Sequence, residues 1–310
     1  MTASTPRHEA QATFTEVMNS HFSRLGGTVG VMVHEFVSGR ELTYNHTEIF
    51  PTASTLKVPL LYELYRQADE GVIDLTERVT LRHSDRVPGS GVLQDLDEGL
   101  QPTIRDLAEL MIIVSDNWAT DMIYARIGKE NMARTLTNLG LHQTHIPMNI
   151  NQLFCTLAGV EWDDPKVDYH FLKEYLKDYT PAVNNVGYAA DERNDVSSPA
   201  DMVRLLVQIH EGHGLTRESQ EGVIRILKDQ NFNTIIPARL PQDEHIETAH
   251  KTGSLRGIRN DVGIAYSPKV NYAVAFMSKG QDDTAEAVDR MARASRWIWD
   301  YLVGVHDPKV

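Results

Sequence analysis

Asp261-Val262-Gly263-Ile264-Ala265-Tyr266, then Ser267-Pro268-Lys269, then Asn271-Tyr272-Ala273-Val274-Ala275-Phe276-Met277 read as a strand, a turn and a second strand. Both runs are short, rich in β-branched and aromatic residues, and separated by turn formers, which favours an antiparallel pair. A third strand is predicted just upstream, from His245 to Lys251. Near the other end of the chain, Val29, Val31 and Val33 alternate with smaller or polar neighbours. Val37-Ser38-Gly39-Arg40 then offers a turn into Glu41-Leu42-Thr43-Tyr44, a second hairpin. Strands at both chain ends most simply share one sheet. From about Thr52 to Gln230 the periodicity is helical almost throughout. Thr103 with Asp106 forms a capping box ahead of Leu107, Leu110, Met111 and Val114, and Gly140 closes a helix through Met132, Leu136 and Leu139. Helices are also predicted from His8 to Leu25 and along the face carrying Val288, Met291, Ile298 and Leu302. The expected fold class is α+β: an antiparallel sheet flanked by the N- and C-terminal helices, with an inserted all-helical domain. The sheet domain is assigned to 1–51 plus 231–310, the helical one to 52–230, and a ligand cleft is expected where the two meet.

The 310 residues suffice for a large core, and a hydrophobic fraction of 41 % with 24 % charged residues is that of a folded globular protein. A net charge of −13 argues against nucleic acid and against an anionic membrane surface as partners. The single cysteine, Cys155, excludes an intramolecular disulfide and a Cys-rich zinc site. Met1-Thr2-Ala3-Ser4-Thr5-Pro6 lacks the charged and apolar regions of a leader, so a cytoplasmic location is expected.

Three short motifs carry the chemistry: Ser54-Thr55-Leu56-Lys57, Ser115-Asp116-Asn117 and Lys251-Thr252-Gly253. The first alone is weak, since S-x-x-K is expected about once in a chain of this length. All three in this order are expected by chance in under about 1 % of such chains. Ser and Lys three residues apart lie on one side of a helix, so the Lys57 amine can approach the Ser54 hydroxyl. A serine needs a base, and a lysine serves as one only when neutral, a form that burial beside a second cation such as Lys251 favours. Ser54 falls at a predicted helix start, where free backbone N–H groups can hold an oxyanion, and Pro59 agrees with that placement. Ser115 would relay a proton to the leaving group, and Asn117 would orient the substrate amide and Lys57. Lys251-Thr252-Gly253 ends a predicted strand, where Gly253 lets a substrate lie against the strand edge.

The triplet resembles that of class A β-lactamases and penicillin-binding proteins, and the order of elements is similar over most of the chain. Phe50-Pro51-Thr52-Ala53 before the serine, and Asp191-Glu192-Arg193 before Pro199-Ala200-Asp201-Met202, are further local matches. The resemblance implies that Ser54 is the acylated nucleophile, with Lys57 its base and Ser115 and Lys251 catalytic. It implies an oxyanion hole from the backbone N–H groups of Ser54 and Ser254, and substrate contacts from Asn117, Thr252 and Gly253. Arg256 or Arg259 would pair with a substrate carboxylate. The implied activity is serine acyl-hydrolysis of a small amide, lactam or ester, without cofactor or metal. The alternatives are a slowly deacylating acyl-binding sensor and a D,D-peptidase or transpeptidase-like protein.

The departure is that class A enzymes carry an E-P-x-L-N loop whose Glu activates the deacylating water, and this chain has no such string between Ser115 and Arg193. The stretch there reads Ile146-Pro147-Met148-Asn149-Ile150-Asn151-Gln152-Leu153-Phe154, inside an insertion at about 146–190 with an extra helix through Val167, Phe171, Leu172, Tyr175 and Leu176. Glu161, Asp163, Asp164 and Asp168 lie in it, and nothing in the sequence aims any of them at Ser54. Efficient β-lactam hydrolysis is therefore not expected. Tyr169, Tyr175 and Tyr179 either line a pocket or pack. The histidine pairs His142/His145 and His210/His213 read as surface residues, Gly89-Ser90-Gly91 as a loop at the cleft rim, and Cys155 as a buried small hydrophobe.

Overall fold

The computed structural model describes residues 6–180 and 184–305. The start of the chain, Met1–Thr5, on which the leader reading rests, therefore lies outside the described residues. In chain order the elements are α1 (Pro6–Phe22), β1 (Thr28–Glu35), β2 (Glu41–Tyr44), β3 (Phe50–Pro51), α2 (Lys57–Asp69), α3 (Ile104–Ile113), α4 (Asn117–Ile127), α5 (Lys129–Asn138), α6 (Ile150–Ala158) and α7 (Tyr169–Tyr175). They continue as β4 (Val196–Ser197), α8 (Pro199–Glu211), α9 (Arg217–Lys228), β5 (Glu247–Leu255), β6 (Ile258–Tyr266), β7 (Tyr272–Lys279) and α10 (Thr284–Leu302). The fold is α+β. The strands from both chain ends form one antiparallel sheet in the order β2-β1-β7-β6-β5, with β5 at an edge.

Alternation in the strands sends side chains to two different cores. Val31, Val33, Val274 and Phe276 face one way and pack with Phe14 and Met18 of α1 and Met291 and Ile298 of α10. Met32, Ala273, Ala275 and Met277 face the other way, into one continuous core with α2, α3, α4 and α8. The helix ends follow their sequence signals. Thr103 and Asp106 cap α3 reciprocally, Ser198 caps α8 with Pro199 in its first turn, and Asp283 accepts from the N–H groups of Ala285 and Glu286 at the start of α10.

Two features differ from expectation. First, β5 does not end at the Lys251-Thr252-Gly253 motif but runs on to Leu255, with Lys251 opposite Val262 and Gly253 opposite Asn260. The glycine is inside the strand because a Cβ there would lie 2.6 Å from the Thr52 carbonyl oxygen; it admits the Thr52–Thr55 backbone rather than ending the strand. Second, the insertion contains α6, capped by Asn149 and Gln152 in a second capping box, while the anticipated helix is only Tyr169–Tyr175, leaving Val167 and Leu176 outside it. The insertion is closed at its neck by paired backbone bonds between His145 and Val196, beside the β3–β4 ribbon that carries the chain into Ser54. Among the described residues, no helix is long and apolar enough to cross a membrane.

Candidate active site

Ser54 lies on a single 3-10 turn, Ala53–Leu56, which runs directly into α2 at Lys57. The segment is clamped from several directions. Thr52 donates from its N–H (2.9 Å) and its hydroxyl (3.0 Å) to the Asp195 carbonyl, and the Asn260 amide donates to the carbonyls of Pro51 and Thr52. Ala53 has φ +45° and Ser115 φ +55°, a conformation costly for residues with a Cβ and one that surrounding structure must impose.

Lys57 is fully buried. Its amine contacts the Ser115 carbonyl (2.7 Å), the Ser115 hydroxyl (3.0 Å) and the Asn117 side-chain oxygen (2.9 Å). These occupy all three directions of the amine. No hydrogen bond joins Lys57 to the Ser54 hydroxyl, contrary to the expectation from their spacing. The shared side of the helix is there, but the buried amine takes the oxygens of the Ser115–Asn117 turn. Burial and the neighbouring Lys251 hold the Lys57 proton affinity well below that of an ordinary lysine, opposed by Asp116 and Asp121. Lys251 is also fully buried, donates to the Thr252 carbonyl (2.9 Å), and is brought by burial to a pKa of about 7.

Within the second motif the labour is divided. The Asn117 oxygen accepts from Lys57 and its amide nitrogen donates to the Pro88 carbonyl (2.9 Å). Asp116 is scaffold: it caps α4 through the Ala119 N–H and holds the Gly89–Leu93 loop through the N–H groups of Val92 and Leu93. Gly91 permits this approach, since a Cβ there would lie 2.3 Å from the Asp116 carboxylate.

Two cavities meet at Ser54 and share Ser90, Ser254 and Arg259. One, of about 310 Å³, is lined by Ile150, Leu153, Phe154, Leu176 and Tyr179 together with Asn117 and Arg256. The other, of about 360 Å³, contains Ser115, Thr234, Thr252 and Phe232. Thus Ser54, Ser115, Thr252 and Ser254 come together, Gly253 lies against the Ser54 backbone, and Lys57 and Lys251 stand behind them.

The arginines separate. Arg256 is exposed and fastened to the insertion, donating to the Tyr179 carbonyl at 2.7 Å. Arg259 is half-buried, borders both cavities, and donates to the carbonyls of Leu255 and Ile258. Of the tyrosines, Tyr179 reaches the apolar cavity, whereas the Tyr169 hydroxyl bonds Gln94 and that of Tyr175 the Leu157 carbonyl.

The insertion's acidic residues are not at the site. Glu161, Asp163 and Asp168 are exposed, Asp168 capping α7, and neither they nor Asp164 lines either cavity. The residues that the motifs did not reveal are Ile150, Leu153 and Phe154 on one side and two buried carboxylates behind them. Asp121 accepts from the N–H groups of Ile150 (2.7 Å) and Asn151 (2.9 Å), and burial raises its pKa to about 7. Asp195 accepts from Met148 N–H at 3.2 Å, while its second oxygen is buried with no hydrogen-bond partner; burial pushes its pKa well up. The Asn149-x-x-Gln152 capping box was the signal that would have located α6, and with it the apolar wall.

The family model described as the beta-lactamase enzyme family matches residues 10–302. Among solved structures, the chain is similar to a β-lactamase from Sphaerobacter thermophilus at 26 % identity and a TM-score of 0.77, covering 96 % of this chain and 99 % of that one. It is similar to PBP-A at 25 % identity and a TM-score of 0.76, covering 94 % and 95 %. A further match, at 26 % identity and a TM-score of 0.75, covers 94 % of this chain and 96 % of that one; it is a point mutant of PBP-A as an acyl-enzyme complex with penicillin G.

Proposed function

The chain belongs to the beta-lactamase enzyme family, and on that premise we propose that it is a serine acyl-hydrolase that cleaves a small amide, lactam or ester through an acyl-Ser54 intermediate released slowly. The observation that carries the reading is the buried Lys57, bonded to Ser115 and Asn117 and set beside Lys251. A desolvated amine next to a second cation is neutral enough to accept a proton. Of its three oxygen partners only the Ser115 hydroxyl carries a proton, so the lone pair of neutral Lys57 faces Ser115. Ser54 therefore gives its proton to the Ser115 oxygen as Ser115 gives its own to Lys57, and the Ser54 oxygen bonds to the carbonyl carbon. The carbonyl oxygen takes its developing charge to the backbone N–H groups of Ser54 and Ser254. Collapse breaks the bond to the leaving nitrogen or oxygen, which receives a proton from Ser115 while Lys57 returns one to Ser115. Water then adds to the acyl carbon by the same relay, releasing the acid and restoring Ser54. Lys251 supplies positive charge near the leaving group.

Slow release follows from the walls: none of the described residues lining the two cavities at Ser54 is an Asp or Glu. Water activation then falls to Lys57 and Ser115, and the acyl-enzyme accumulates. This favours a trapped acyl state, as in an acyl-holding sensor or a peptidase-like protein, over an efficient β-lactamase. Penicillin G is a rational probe because it forms an acyl-enzyme with the PBP-A mutant. The test is intact-mass spectrometry over time with penicillin G, a cephalosporin and a generic activated ester, alongside Ser54→Ala. The expected result is an adduct on Ser54 followed by turnover slower than its formation, and no adduct on the variant, whose rate falls on the order of 10⁴-fold or more. Undiminished turnover by a clean Ser54→Ala preparation, or no adduct from any probe, would sink the reading.

A further inference from the structure

We propose that the substrate carries an apolar acyl group, because the position of Ser115 assigns the two cavities at Ser54 to the two halves of the substrate. This inference rests on the acyl-Ser54 reading above and specifies which molecules that site takes.

The assignment is geometric. A carbonyl carbon bonded to the Ser54 oxygen has two substituents, the acyl chain and the leaving atom, and the leaving atom must lie within reach of the group that protonates it. That group is Ser115, which lines the cavity shared with Thr234 and Thr252 and not the one walled by α6. The leaving half therefore sits among Ser115, Thr234, Thr252, Phe232 and Val288, and the acyl half is directed into the other cavity.

That second cavity is built for an apolar occupant. Ile150, Leu153 and Phe154 come from consecutive turns of α6, and Leu176 and Tyr179 come from the return of the insertion. Its rim is preset. Arg256 holds the Tyr179 carbonyl at 2.7 Å, and the Tyr179 and Tyr188 hydroxyls bond each other at 2.8 Å. Asp121 fixes the first turn of α6, and so the aim of Ile150, through two backbone N–H bonds. A preformed pocket with an apolar wall discriminates by size and apolarity at that wall, each methylene-sized difference being worth roughly 10–200-fold in kcat/KM. A cationic acyl group would lose its water there and meet only the like charges of Arg256 and Arg259.

The test compares two esters that share a leaving group, p-nitrophenyl acetate and p-nitrophenyl phenylacetate, by the kcat/KM for p-nitrophenolate release, with Ser54→Ala subtracted as background. The phenylacetyl ester is expected to acylate Ser54 about 100-fold faster than the acetyl ester. In Leu176→Ser and Phe154→Ala that ratio is expected to fall about 10-fold, and a ratio is indifferent to any loss of folded enzyme. A wild-type ratio within about 3-fold of unity, with both esters still labelling Ser54, would overturn the acyl assignment and leave the acyl-serine reading standing. No label on Ser54 from either ester would overturn the acyl-serine reading, and the assignment with it.

Discussion

On one side of Ser54 stand Lys57, Ser115, Asn117 and Lys251, contributed by α2, by the turn before α4, by the first residue of α4 and by β5. They are polar, buried and bonded to one another or to backbone. On the other side stand Ile150, Leu153, Phe154 and Leu176, all from one insertion and all apolar. The buried carboxylates behind that second region, Asp121 of α4 and Asp195 just before β4, hold the N–H groups at and before the start of α6 and line neither cavity at Ser54. On the proposed reading, the first wall places proton carriers where the acyl bond would form. The second presents to the acyl group a surface that can exclude water but cannot deprotonate it. On that reading acylation and deacylation depend on separable parts of the molecule, and a change to one wall should move one step and leave the other nearly still.

The largest effect should come from giving the second wall a base. Ile150 lines the cavity with Ser54 on a helix start whose backbone is pinned by Asp121, so Ile150→Glu places a carboxylate beside the acyl group without moving the first wall. General-base assistance of this kind is worth about 10²–10⁴-fold, and the deacylation rate should rise within that range while acylation changes little. Single-turnover decay of the mass adduct measures it, with Ile150→Gln as the same-sized control that carries no base. Equal adduct lifetimes in Ile150→Glu and Ile150→Gln would show that the apolar wall is not what protects the acyl bond.

A smaller effect should isolate the first wall. With burial bringing the Lys251 pKa to about 7, one pH unit above that value leaves roughly a tenth of the enzyme charged at this position. The rate of acylation by an anionic substrate should then fall about 10-fold by pH 8. Lys251→Arg keeps its charge throughout that range and should lose the alkaline decline. The adduct lifetime should show no matching change. An unaltered pH profile in Lys251→Arg would remove Lys251 from the acylation step.

How far each wall was legible follows from how it is made. Alternating valines in β1 and the capping signals of α3 are local, so the sheet, its flanking helices and the order of elements could be read directly. The motif residues of the first wall were legible as types at fixed spacing, but not the partner that the Lys57 amine prefers, because that depends on oxygens about sixty positions away. The second wall was hidden for a different reason. Reading the loop against E-P-x-L-N drew attention to the missing Glu, while Asn149 and Gln152 were already announcing a helix. The role of Arg256 was open for the same cause: its backbone partner, Tyr179, arrives from a segment whose return path no local pattern records. The continuation of β5 past Gly253 was masked because a strand glycine reads as a stop unless the neighbouring backbone that needs the space is known.

The smallest expected effect concerns what holds the second wall in place. Asp195 has one oxygen on the Met148 N–H and the other buried without a partner, so its carboxyl is more basic folded than unfolded. The folded protein then binds a proton that the unfolded chain releases, and stability falls as pH rises from about 4 through the raised pKa. Asp195→Asn keeps the shape and the Met148 contact while removing the charge, so its stability should not carry this dependence. At pH 8 the variant should be more stable by about 1 kcal/mol, roughly 2–4 °C in Tm, and at pH 4 the two proteins should melt together. A variant that melts lower at both values would mean that the buried oxygen has a role in the fold that an amide cannot fill. The neck of the insertion would then rest on Asp195 itself, rather than on the His145–Val196 backbone pair beside it.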